Sequence, residues 1–173
     1  MKGNLKQALE NVDMLYEQIV SISDDIVNHY TKELNDLIDN AKKNIYTLTS
    51  SDLQTLMLQI SFLTFQFCEV KDKAISKANG AETLKEEAYA KELIVADGAI
   101  ALKQSTARLN ISDEIIAEAI HDLVSSSFKS KLDEAHRLVD SIKSALITRA
   151  QEQKFGQQNI SIGNVGENTY ITE

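Results

Sequence analysis

The stretch LQTLMLQISFLTFQFCEV, residues 53–70, decides the fold. Leu53, Leu56, Ile60, Leu63, Phe67 and Val70, continued by Ala74, advance by alternating steps of three and four. That spacing draws a seam along one face of an α-helix that packs against other helices. Met57, Leu58, Phe62, Phe65 and Cys68 widen the apolar face, so this helix is expected to be the most buried. The stretch is about as long as a bilayer span. It carries Gln54, Gln59 and Gln66, however, and a central bundle helix accommodates those amides better than hydrocarbon does.

The same periodicity extends in both directions. Upstream, Leu5, Leu9, Val12, Tyr16, Ile19, Ile22, Ile26, Tyr30, Leu34, Leu37, Ala41 and Ile45 form one series with a mean step close to that of an α-helix. It predicts a single helix of about forty residues, about 60 Å long. Ser21, Ser23, Asp24 and Asp25 lower its propensity and mark a candidate bend, and residues 47–51 supply a turn. Ser51 and Gln54 stand in capping-box relation, with Asp52 in the first turn.

Downstream, Asn79-Gly80 reads as a C-terminal stop and Thr83 with Glu86 as the next capping box, so a helical hairpin is predicted around Gly80. The third helix then runs through Tyr89, Leu93, Ala96, Ile100 and Ala107 to Asn110. Ser112-Asp113-Glu114 starts a fourth, which continues to about Gln153 on Ile116, Ile120, Val124, Phe128, Leu132, Ala135, Val139, Ile142, Leu146 and Ala150. The expected fold is all-α: an elongated helical bundle or coiled coil, residues 1–154, of two long helices flanking a helical hairpin. Residues 155–173 change composition and read as a β-prone C-terminal tail. Asn159-Ile160-Ser161-Ile162 and Asn168-Thr169-Tyr170-Ile171-Thr172 are the candidate strands, separated by a glycine-bearing turn.

Composition narrows the function classes. The 173 residues contain no proline, no tryptophan and six glycines, as long uninterrupted helices require. One cysteine, Cys68, excludes an internal disulfide, and its apolar neighbours suggest a buried structural thiol. No apolar leader follows Met1, and a cytoplasmic location is expected. Apolar stripes of this length exceed what one small globule can cover, which points to a homo-oligomer. The net charge of −8 is uneven, with eight acidic and three basic residues in positions 1–40. A nucleic-acid contact in such a chain has to come from a local patch multiplied by symmetry.

No phosphate-binding glycine loop, nucleophile elbow or zinc spacing is present in the sequence. The serines at 125–127 have no base at a telling spacing. Glu118 with His121 and Asp133 with His136 have the spacing found in di-iron bundles, but they lie on one helix about 22 Å apart and cannot close on a common metal pair. A non-enzymatic protein with no cofactor and no metal is expected. The clearest cation cluster is Lys71, Lys73 and Lys77, with Lys85 across the Gly80 turn, a candidate contact to a nucleic-acid backbone. The alternative reading is a solvated helix end, since positions i, i+2 and i+6 do not share a face.

Long helices around Lys73-Ala74-Ile75-Ser76-Lys77-Ala78-Asn79-Gly80, followed by a helix with Tyr89 and Ala96-Asp97 and a terminal helix carrying Leu138-Val139-Asp140-Ser141-Ile142-Lys143-Ser144, resemble the UvsY-type recombination mediators of tailed phages. The resemblance covers about residues 53–149 and is one of pattern. It implies an all-helical ring that contacts single-stranded DNA and recombination or replication proteins, and carries over Lys73 and Lys77 as phosphate contacts. The chain departs from the pattern in its acidity, in lacking a tyrosine pair and an arginine near the turn, and in its added N-terminal helix and tail. The tail segment Ile160-Ser161-Ile162-Gly163 with Asn168-Thr169-Tyr170-Ile171 is similar to RHIM-like signalling motifs, which implies self-association through Ile160, Ile162, Tyr170 and Ile171. That similarity implies a helical effector, adaptor or assembly module.

Overall fold

The computed structural model describes the backbone of residues 2–165 and the side chains of residue 7 and residues 10–155. It contains four helices: α1 (Lys2–Asn44), α2 (Ser50–Val95), α3 (Ile100–Asn110) and α4 (Ser112–Val165). Among the described residues there is no strand, and no helix is long and apolar enough to cross a membrane. The all-α bundle class expected from the periodicity is the class observed.

Helix α1 is unbroken through residues 21–25. Ser23 faces the core there, and its hydroxyl donates to the Ile19 carbonyl of the preceding turn at 2.8 Å, so its polarity is met within the helix. The connection to α2 is closed two residues earlier than the Ser51–Gln54 spacing predicts. Thr49 caps α2: its hydroxyl accepts from the Asp52 amide at 3.2 Å, its own amide donates to the Asp52 carboxylate at 3.2 Å, and the hydroxyl donates to the same carboxylate at 2.6 Å. This is the reciprocal box with a shorter acid at its third position.

The hairpin around Gly80 is not formed. Helix α2 runs through Asn79-Gly80 to Val95, and Thr83, expected as a cap, donates its hydroxyl to the Asn79 carbonyl one turn back. A helical glycine costs about 1 kcal/mol relative to alanine but does not force a stop. The surrounding Ala78, Ala81, Leu84, Lys85, Glu86, Glu87 and Ala88 are strong helix formers and carry the helix across it. The break falls at residues 96–99, where Gly98 adopts φ +109°, a conformation that L side chains rarely take. The boundary between α3 and α4 lies at Ile111, between Asn110 and Ser112 as predicted.

The chain divides into two compact units, one of Met1–Glu33 with Thr64–Asp133, the other of Leu34–Leu63 with Glu134–Glu173. The second unit is built on Leu34, Ile38 and Ala41 of α1, Leu53, Leu56 and Ile60 of α2, and Ala135, Leu138, Val139 and Ile142 of α4. At its turn the Arg149 guanidinium donates to the carbonyls of Leu48 (2.6 Å), Ile45 (3.1 Å) and Tyr46 (3.3 Å), so one planar cation closes the helix end. The first unit is built on Val27, Phe67, Ala74, Val124, Phe128 and Leu132.

Of the α2 seam, Leu53, Leu56, Ile60, Phe67 and Ala74 are buried and Leu63 and Val70 half-buried, whereas the residues that widen it are half-buried at Met57 and Cys68 and open at the other three. Leu58, Phe62 and Phe65 are exposed, because the neighbouring helices cover a stripe of α2 and not its circumference. Helix α4, with Val124, Phe128, Leu132, Ala135, Leu138, Val139 and Ile142 all buried, is the helix that enters the core most continuously. It also extends past the composition change at Phe155-Gly156 to Val165, which places Asn159-Ile160-Ser161-Ile162 in its last turns. Their side chains, and all of Asn168-Thr169-Tyr170-Ile171-Thr172, lie outside the described residues.

Candidate functional site

The first unit holds a half-open groove of about 1140 Å³ between residues of α1, α2 and α4. Its floor is apolar: Ile26 from α1, Val70 and Ala74 from α2, Val124 and Phe128 from α4. These come from the same helical stripes that form the core, which is why the floor is smooth and greasy. Phe128 anchors it, edge-on to Phe67 at a centroid distance of 5.0 Å. Tyr30 meets Phe128 in the same T-shaped manner at 6.2 Å and is itself 54% exposed. Phe65, 79% exposed, lines the groove as well. Two aromatic rings are therefore offered to solvent at its edge.

Lys73 and Lys77 line the groove one helical turn apart. Lys73 is paired with Glu69 at 2.6 Å, and that hydrogen bond raises the lysine pKa and lowers the Glu69 pKa, holding both in their charged forms. Lys77 makes no ion pair or side-chain hydrogen bond among the described residues, so its charge is the one not offset by a bonded carboxylate. Glu69 and Asp72 also line the groove, which leaves its formal charge balanced.

The other two predicted cations lie elsewhere. Lys71 is half-buried and paired with Asp72 at 3.0 Å, which raises its pKa. Lys85 follows Lys77 on the same helix, since no turn separates them, and its ammonium bonds to Glu118 of α4, which also raises its pKa. Lys85 ties α2 to α4 within the unit, Lys71 is engaged by its own neighbour on α2, and only Lys73 and Lys77 share a face and a groove.

Sequence reasoning did not single out Tyr30 and Phe65 as site residues. Tyr30 falls in the core series of α1, and Phe65 in the widened face of α2. The available signal for Phe65 was its position two residues from both Leu63 and Phe67, off the seam. Cys68, expected to be buried, is half-buried and lines the groove. His121 also lines the groove, while its partner in the Glu-x-x-His spacing, Glu118, is engaged by Lys85. Among the described residues no three His, Cys, Asp or Glu side chains gather in a way that could hold a metal ion. Comparison of the chain with protein-family models, curated proteins and solved structures finds no match.

Proposed function

We propose that this chain is a non-enzymatic, oligomeric helical protein that serves nucleic-acid metabolism, contacting single-stranded DNA together with recombination or replication proteins. The observation that carries the reading is the pairing of Lys73 and Lys77 with the open rings of Tyr30 and Phe65 in one groove. Cations that track a backbone beside aromatic faces on which bases stack are the working parts of sequence-tolerant single-strand binding. The carboxylates in the same groove keep the contact of one copy weak, so the reading needs repetition of the groove in an oligomer. It agrees with the resemblance to UvsY-type mediators, which carries over the same two lysines.

The test is fluorescence anisotropy of the full chain with a labelled single strand at about 50 mM and about 200 mM salt. Binding should weaken as salt rises, and Lys73→Gln with Lys77→Gln should lower both the affinity and the salt slope. No binding at the lower salt ends this reading.

The exposed apolar residues favour a second reading, a helical adaptor or assembly module. Val12, Tyr16, Phe62, Ile94, Val95 and Leu109 are each more than half exposed in a single copy. Exposed apolar side chains are the material from which protein contacts are made where they gather on one surface. Mass photometry of the full chain and of a variant with Ile160, Ile162, Tyr170 and Ile171 replaced by serine separates the roles. Loss of assembly in the variant supports the tail-driven module, and unchanged assembly removes it.

A further inference from the structure

Single-strand binding at the rim leaves the floor of the groove without a role. The lining residues of α2 run from Phe65 to Lys77, about 18 Å of helix. The Phe67–Phe128 contact and the Lys85–Glu118 pair set α4 antiparallel to α2, so Phe128 lies toward Phe65 and His121 toward Lys77. Tyr30 stands against Phe128. One end of the groove is therefore aromatic, with Phe65, Tyr30 and Phe128, and the other polar, with Ser76, Lys77 and His121. Ile26 and Val70, both half-buried, offer apolar surface between the two ends.

Charge is matched along this groove except at its polar end. Its two carboxylates are both taken, Glu69 by Lys73 at 2.6 Å and Asp72 by Lys71 at 3.0 Å. Lys77 has no ion-pair partner among the described residues. The positions one turn away on its own helix are Lys73, Ala74, Gly80 and Ala81, none of them an acid. On α4 the carboxylate of Glu118, one turn before His121, is held by Lys85. A half-open groove of about 1140 Å³ thus joins an apolar length to one unmatched cation at its end. A mostly apolar cleft with a single well-placed polar group is the usual form of a small-molecule site, the polar group fixing the orientation of the ligand.

We propose that this groove binds a long-chain carboxylate. The acyl chain lies along Ile26 and Val70 with its end against the aromatic rings, and the carboxylate accepts a charge-assisted hydrogen bond from the Lys77 ammonium. The occupant follows from complementarity: a neutral lipid leaves Lys77 unmatched, and a nucleotide leaves the apolar length uncovered. The site goes beyond the single-strand function proposed above and does not depend on it.

Equilibrium dialysis of the full chain against radiolabelled tetradecanoate, below its micelle concentration, tests the site, with far-UV circular dichroism confirming the helix content of each variant. The wild type binds one tetradecanoate per chain. Dodecanoate binds about tenfold more weakly, since each buried methylene is worth about fourfold. Tetradecan-1-ol, with the same tail and no charge, also binds about tenfold more weakly. Lys77→Gln, at an exposed position, lowers the affinity for the acid about tenfold and leaves that for the alcohol unchanged, because only the acid meets the ammonium. Lys91→Gln, on the same helix outside the groove, changes neither. Absence of tetradecanoate binding overturns the site. Equal affinity for acid and alcohol, or a Lys77→Gln variant that holds the acid as tightly as the wild type, overturns it as well. A chain that binds the labelled single strand and ignores tetradecanoate overturns this site alone.

Discussion

Replacing Phe128 with alanine tests the core of the first unit directly. The ring is 2% exposed and is packed among Val27, Phe67, Ala74, Val124 and Leu132. Phe→Ala at such a site costs about 3–5 kcal/mol, the lost transfer energy plus the cavity that neighbours fill only in part. The edge-to-face contacts with Phe67 and Tyr30, each worth about 0.5–1.5 kcal/mol, place this site toward the upper end. For a chain of this size about 4 kcal/mol corresponds to a fall in Tm of roughly 10 °C. The assay is urea unfolding followed by circular dichroism at 222 nm, at one fixed protein concentration because assembly shifts apparent stability. Phe62→Ala is the control, the same chemistry on α2 at a ring that is exposed, and should change stability by less than about 0.5 kcal/mol. If Phe128→Ala costs no more than Phe62→Ala, the burial argument for this core is wrong.

Gly80 and Gly98 should respond to alanine with opposite sign. Gly80→Ala, where an added Cβ meets nothing within 4 Å, gains about 0.5–1 kcal/mol. Gly98→Ala, at φ +109° with a Cβ position 2.9 Å from Leu102 Cδ2, loses about 1–2 kcal/mol, and thermal melts of the pair read the contrast. Arg149→Ala leaves three helix-end carbonyls without their donor and should cost about 1.5–3 kcal/mol in urea unfolding; a loss under about 0.5 kcal/mol would mean that water replaces the guanidinium at no penalty. The Lys85–Glu118 pair raises the lysine pKa, so its contribution is present below the unfolded lysine value and is lost as pH rises through the higher folded one. Lys85→Met should therefore be less stable than wild type at pH 7.5, with the gap closing as pH rises past the folded lysine value, and a constant gap would exclude the ion pair as its source.

Part of the candidate site was legible as spacing. Lys73 and Lys77, one turn apart, share a face whatever the helix packs against, and the structure keeps them in one groove. Grouping them with Lys71 and Lys85 was a statement about carboxylates that sequence distance does not contain. Lys85 finds Glu118, thirty-three residues away, and Lys71 finds its neighbour Asp72. Tyr30 and Phe65 escaped notice because an aromatic in an apolar series reads the same whether it faces a neighbouring helix or solvent.

The helix boundaries divide the same way. Absence of proline and an apolar repeat carried across most of the chain were enough to determine helices, their approximate number, and the break between Asn110 and Ser112, since these depend on backbone conformation and periodicity. Which glycine turns the chain was a competition that local sequence could not resolve. Gly80 sits among strong helix formers and is carried through, whereas Gly98 takes a positive φ in the short break before α3. Sequence by itself therefore determined that the chain is helical and which stripe of each helix is greasy. Only the tertiary structure decided which parts of those stripes are covered, because burial depends on the presence of a neighbouring helix at each level: at Val27 there is one, and at Val12, on the same helix, there is none.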